Sequence, residues 1–105
     1  MITLQSSHIT SLDLRTRMPF RYGIVTLTEL PHVFVHATLN IDGTESRGIA
    51  ADHLPPKWFT KDPDRDPRDE IDDMRKVIDQ AAALARNIEA STLFDWWWKL
   101  FQRQD

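Results

Sequence analysis

The segment VFVHATLNIDG (residues 33–43) decides the fold of this 105-residue chain. Apolar residues stand at every second position of it, which is typical of a strand with one buried face. The Asp42-Gly43 dipeptide follows at once, and both residues tolerate the positive φ of a tight hairpin turn. The segment therefore predicts a strand over residues 32–41 that turns into an antiparallel return strand over residues 45–51.

The chain before this segment also alternates. One face of an extended chain would carry Leu12, Leu14, Thr16 and Met18, and the other Ser11, Asp13, Arg15 and Arg17. This pattern predicts a first strand over residues 2–17. Pro19 has no N–H for a central strand, so we expect a loop from Pro19 to about Pro31 with aromatic residues at its tip. Together the three strands make an antiparallel meander.

Two helices are predicted after the meander, over residues 67–90 and 92–102. Asp66 is a suitable N-cap, and Pro67 suits the first helical position. Apolar residues then recur at helical spacing as far as residue 90. Thr92 offers a fresh cap for the second helix. We therefore expect an α+β fold, a three-stranded antiparallel meander followed by at least two helices, in one domain spanning residues 1–105.

Composition excludes several classes of function. A formal charge of −3 gives no basic surplus for nucleic acid. The chain has no cysteine, so it has neither disulfides, nor a thiolate nucleophile, nor a cysteine-based zinc site. We find no signal-peptide pattern and no apolar run near the roughly 20 residues that span a bilayer, so we expect a cytoplasmic protein without a membrane segment.

The sequence predicts no metal site. Four aspartates occupy the first, third, fifth and twelfth positions of a calcium loop: Asp62, Asp64, Asp66 and Asp73. Position six of that loop needs a glycine, and the fixed φ of Pro67 cannot make the turn. We therefore interpret the run as a solvated helix start. His32 and His36 would lie roughly 13 Å apart on a strand, too far to share one ion, so we expect each to have solvent or side-chain partners.

The second helix is predicted to be apolar on nearly every side. It carries three consecutive tryptophans that point about 100° apart, and one small sheet cannot cover them all. Aromatic side chains of this kind are typical of interface centres. The predicted interface residues are Trp96, Trp97, Trp98 and Phe101.

The order of the elements and three strings of sequence resemble the N-terminal capping domain of the enolase superfamily, most closely its mandelate racemase and muconate lactonizing enzyme branch. The strings are MPFRYG (18–23), VFVHATL (33–39) with the Asp42-Gly43 turn, and GIAA (48–51). The likeness covers at least residues 2–90.

The resemblance implies a domain packed over the mouth of a modified (β/α)₇β barrel. In that family the barrel supplies the ligands of an essential Mg²⁺ and the lysine or histidine that removes a proton α to a carboxylate. This chain lacks the family's Lys-x-Lys motif. The resemblance therefore implies no catalytic residue, metal ligand or cofactor in this chain, and an intact Mg²⁺-dependent racemase, cycloisomerase or dehydratase that acts on a small carboxylate.

A capping role implies two loops that close over the substrate, at residues 19–30 and 51–58. The substrate-facing residues that the resemblance implies are Phe20, Arg21, Tyr22, His53 and Trp58, with Arg21 as an anion contact. The partner of the domain would then be the barrel of the same enzyme. The alternative is a free-standing interaction module that dimerises, or binds a partner protein, through its tryptophan-rich helix.

Overall fold

An antiparallel sheet and two helices form the fold in the computed structural model, which describes residues 1–22, 25–57 and 62–104. The elements in chain order are β1 (Ile2–Tyr22), β2 (Val25–Ile41), β3 (Thr44–His53), α1 (Pro67–Ala85), β4 (Glu89–Ala90) and α2 (Leu93–Gln104). The strand order in the sheet is β3-β2-β1-β4. The predicted α+β class and the antiparallel meander are confirmed, and the short strand β4 adds a fourth strand to the sheet.

The turn between β2 and β3 is the one that its sequence predicts. Asp42 and Gly43 have φ values of 51° and 89°, and the Gly43 N–H donates to Asn40 Oδ1 at 2.8 Å. Both φ values lie in the left-handed region that tight hairpin turns require. The turn fixes the register of the β2–β3 ladder, which runs from the Ile41–Thr44 pair to the pair formed by His32 and His53.

The predicted loop over residues 19–31 is wrong, because β1 and β2 remain paired as far as Tyr22 and Val25. Their register shifts between Arg15 and Phe20, so that residues 16–19 of β1 lie opposite the single residue Thr28. Pro19 falls within this irregularity, where the ladder requires no N–H from it. The proline therefore interrupts the regular pairing without ending the strand.

The first predicted helix is too long. Its start is confirmed, because Asp66 Oδ1 accepts the Arg68 N–H at 2.9 Å and Pro67 is the first helical residue. Its end is Ala85, and residues 89–90 form β4 against the beginning of β1. Ile88 is only 2% exposed. The free energy gained by burying this side chain beside β1 exceeds the free energy of a further helical turn, because one turn of helix adds little stability in water.

The two faces of the sheet differ. The face that carries Val33 lies towards α1. Ser11 is the cross-strand partner of Val33 and so lies on the same face, and its Oγ accepts a hydrogen bond from Arg75 Nη2 of α1 at 3.3 Å. The core on this side is completed by Ile2, Leu4, Leu54, Ala85, Ile88 and Ala90. The other face, called here the open face, carries His32, Phe34 and His36 on β2.

Candidate functional site

The far end of the β1–β2 hairpin contacts the segment that follows β3. The Tyr22 hydroxyl donates to the Pro56 carbonyl at 2.7 Å. The ring of Phe20 lies 5.9 Å from the ring of Tyr22, on the same side of the hairpin. The two segments that the resemblance singles out are therefore joined in the folded chain.

A cavity of about 600 Å³ lies where these segments meet. Its aromatic and polar lining includes Phe20, Tyr22, Asp52 and His53, and the side chains of Leu14, Leu27 and Leu30 add apolar surface. Three of the five residues predicted to face a substrate are thus brought to one cavity. The volume is within the range of about 300–1,000 Å³ that is typical of small-molecule pockets.

The other two predicted capping residues are not among the described residues that line this cavity. Arg21 is exposed and alternates with Phe20 and Tyr22, so it lies on the opposite face of the hairpin. Trp58 lies outside the described residues. The part of the candidate site that the structure describes therefore contains aromatic rings, an imidazole and a carboxylate, and its arginine is Arg15 rather than the predicted Arg21.

A second cavity of about 580 Å³ lies between the segment after β3 and helix α1. It shares Asp52, His53 and Pro55 with the first cavity. On the α1 side it is apolar, with Met74, Val77 and Ile78 in its wall. The end of β3 therefore forms a border between two cavities.

A buried ion pair joins the segment after β3 to helix α1, and the sequence did not reveal it. Lys57 Nζ lies 3.3 Å from Glu70 Oε2, and each side chain is only 6% exposed. Lys57 has a left-handed φ of 62°, and its ammonium also donates to the carbonyls of Asp62 and Arg65. The pair joins residues 13 positions apart. Glu70 lies in the first turn of α1, where an acidic residue is common, so its place in the sequence does not indicate a buried pair.

Tyr22 is held in its neutral form by its surroundings. Burial raises the pKa of the Tyr22 phenol above its usual value of 10.0, and the nearby Glu70 carboxylate raises it further. Both causes disfavour the phenolate. The hydroxyl therefore stays protonated, and can donate to the Pro56 carbonyl, up to a higher pH than an ordinary phenol.

All four histidines of the chain lie on the open face in two cross-strand pairs. His32 and His53 approach each other with their Nδ1 atoms 2.7 Å apart. The rings of His8 and His36 stack with their centroids 4.3 Å apart, and His36 Nε2 lies 3.0 Å from Thr10 Oγ1. His32 and His36 were predicted to have solvent or side-chain partners, and the structure gives each of them a side-chain partner. Cross-strand partners are far apart in the chain, so the sequence did not identify them.

The aspartates before and within the start of α1 make local contacts in the structure. Asp66 caps α1, Asp73 pairs with Arg65, and Asp62 Oδ1 accepts the Asp64 N–H at 2.9 Å. Within residues 1–22, 25–57 and 62–104, no group of three or more histidine, aspartate or glutamate side chains could hold a metal ion.

Helix α2 carries an exposed aromatic stripe, defined as Phe94, Trp97, Trp98 and Phe101. These residues are 44–68% exposed, and the centroids of neighbouring rings lie 5.4–6.0 Å apart along the stripe. Their spacing of i, i+3, i+4 and i+7 places them on one side of the helix. The predicted interface residues Trp97, Trp98 and Phe101 belong to this stripe, and Phe94 is a member that the sequence did not single out.

The opposite side of α2 faces the domain. Lys99 Nζ donates to the Glu89 carbonyl at 2.9 Å, and Arg103 Nη1 donates to the Asn87 carbonyl at 3.2 Å. Trp96 lies on this side, is half-buried, and has a buried indole nitrogen. The apolar residues of α2 therefore divide between two sides. No helix in the described part of the chain has the length and apolar character that a bilayer span needs.

Comparison of the chain with protein-family models, with curated proteins and with solved structures finds no match.

Proposed function

We propose that the chain is the capping, substrate-specificity domain of an enzyme of the mandelate racemase and muconate lactonizing type. The observation that carries the proposal is the hydrogen bond from Tyr22 to Pro56, which joins the hairpin end to the segment after β3 beside a cavity. A cap needs two such segments that act together, because closure must exclude water from the substrate.

In this proposal the residues of the cavity select the substrate. Phe20 and Tyr22 offer aromatic surface to the end of a small carboxylate that lies farthest from the reacting carbon, and His53 offers a polar contact. Because Arg21 lies on the other face of the hairpin, the proposal rests on these three residues. In this proposal Mg²⁺ and the acid/base groups belong to the barrel of the intact enzyme, which acts in the cytoplasm.

Proton exchange tests the proposal that this chain selects the substrate and that the barrel supplies the acid/base groups. The isolated chain is incubated in deuterated buffer with Mg²⁺ and a panel of small carboxylic acids, and incorporation of deuterium at the α carbon is followed by NMR. A capping domain without acid/base groups should give no incorporation above that of buffer with Mg²⁺. Catalysed incorporation would contradict the proposal.

A second candidate function is self-association through the aromatic stripe. The specific observation in its favour is that four adjacent rings are exposed on the side of α2 that faces away from the domain. Sedimentation velocity at several concentrations tests it. Concentration-dependent dimerisation that is lost in a Trp97→Ser/Phe101→Ser variant would favour this candidate, whereas a monomer at all concentrations would exclude it.

A further inference from the structure

We infer that His32 and His53 form a binding site for a divalent transition-metal ion on the open face of the sheet. The two histidines are direct cross-strand partners on β2 and β3. Their Nδ1 atoms are 2.7 Å apart, and the two ring planes are inclined at 65°. His53 is exposed and His32 is half-buried, so an ion can reach both nitrogens from solvent.

The geometry of the pair directs both Nδ1 atoms at the space between them. At 2.7 Å, the Nδ1–H of one ring donates to the Nδ1 lone pair of the other. An ion that takes the place of this shared proton is coordinated by both nitrogens. Two nitrogens at about 2.0–2.1 Å from a tetrahedral ion stand roughly 3.3 Å apart, so the rings need to separate by only about 0.6 Å.

The protons balance in this exchange. When both rings are neutral, the proton on the donating Nδ1 transfers through solvent to Nε2 of the same ring, and no net proton is released. When the pair carries one extra proton, that proton leaves to solvent as the ion binds. Water occupies the remaining coordination positions, because the site has two protein ligands.

The stacked pair formed by His8 and His36 does not provide an equivalent site. Its ring planes are parallel to within 2°. Because imidazole lone pairs lie in the plane of the ring, lone pairs on parallel stacked rings cannot converge on one ion. His36 Nε2 is also engaged by Thr10. This pair is therefore a matched control, since it has the same residue types, cross-strand relation and sheet face.

Calorimetric titration of the full chain with Cu²⁺, Ni²⁺ or Zn²⁺ tests the inference. We expect one ion per chain at the inferred site, with Cu²⁺ bound most tightly because imidazole sites follow the Irving–Williams order. His32→Ala or His53→Ala should each weaken binding roughly a hundredfold, because the second imidazole binds as an intramolecular ligand. His36→Ala should leave the affinity unchanged.

Paramagnetic broadening gives a second measurement on the unmodified protein. Substoichiometric Ni²⁺ or Cu²⁺ should broaden the NMR signals of His32 and His53 before those of His8 and His36. No binding, equal loss of affinity in His36→Ala, or first broadening at His8 and His36 would each overturn the inference. The site does not depend on the capping proposal, because its test measures metal binding alone.

Discussion

Replacement of Glu70 by alanine should destabilise the chain far more than its place in the first turn of a helix suggests. Glu70 Oε2 lies 3.3 Å from Lys57 Nζ, and both side chains are 6% exposed. The substitution leaves the Lys57 ammonium buried without its carboxylate. Breaking a buried pair by removal of one partner costs about 3–5 kcal/mol.

A solvent-exposed pair on the β1–β2 hairpin provides the control. Arg15 Nε lies 3.7 Å from Glu29 Oε2, with side chains 86% and 68% exposed. Ion pairs of this kind contribute about 0–1 kcal/mol, because water and salt screen them. Glu29→Ala should therefore change the free energy of unfolding by less than about 1 kcal/mol.

Urea denaturation followed by circular dichroism measures both variants. A third variant, Lys57→Met/Glu70→Leu, removes both charges and should be more stable than Glu70→Ala, because no unpaired charge remains buried. If Glu70→Ala costs no more than Glu29→Ala, or if the double variant is the least stable, the pair does not fix the segment after β3 in the way described.

Three further predictions concern the hydroxyl of Tyr22, the core and the helix cap. Burial, and then the Glu70 carboxylate, raise the pKa of Tyr22 in the folded chain. The neutral phenol therefore stabilises the fold below pH 10.0, and this stabilisation is lost as the pH rises through the pKa of the folded state. Tyr22 is the only tyrosine, so phenolate absorbance should titrate with a midpoint above 10.0 in the folded chain; a midpoint at or below 10.0 would refute this. Ile88→Ala should cost about 2–5 kcal/mol in urea denaturation, because it leaves a cavity at a fully buried position; a loss below about 1 kcal/mol would contradict the described core. Asp66→Ala should cost about 1 kcal/mol, whereas Asp66→Asn, which keeps a capping oxygen, should cost much less; equal losses would argue against the cap.

Local patterns of sequence predicted the parts of the fold that local physics determines. The alternation in β2 and the Asp42-Gly43 turn were sufficient for the hairpin, because side-chain period and positive φ are properties of neighbouring residues. The same holds for the Asp66 cap, whose hydrogen bond spans two residues. Pro19 misled the prediction, because the register shift that accommodates it depends on the partner strand.

Contacts between distant residues account for most of what the sequence did not reveal. Ile88 continues the helical spacing of α1, so its pattern fits a helix, and only the position of β1 shows that residues 89–90 form a strand. The Lys57–Glu70 pair and the two histidine pairs likewise exist only after folding. Of the candidate site, Phe20 and Tyr22 came from the resemblance alone, since neither charge nor spacing marks them.

An NMR titration of the isotope-labelled chain with small aromatic and aliphatic carboxylic acids tests the central claim most directly. The account predicts saturable shifts concentrated at Phe20, Tyr22 and residues 52–56, which line or border the cavity at the hairpin end. Phe20→Ala should weaken these shifts, whereas Arg21→Ala, on the other face, should leave them unchanged. Shifts that are absent for every acid, or that fall on the aromatic stripe of α2 instead, would contradict the claim that the hairpin and the segment after β3 together select a substrate.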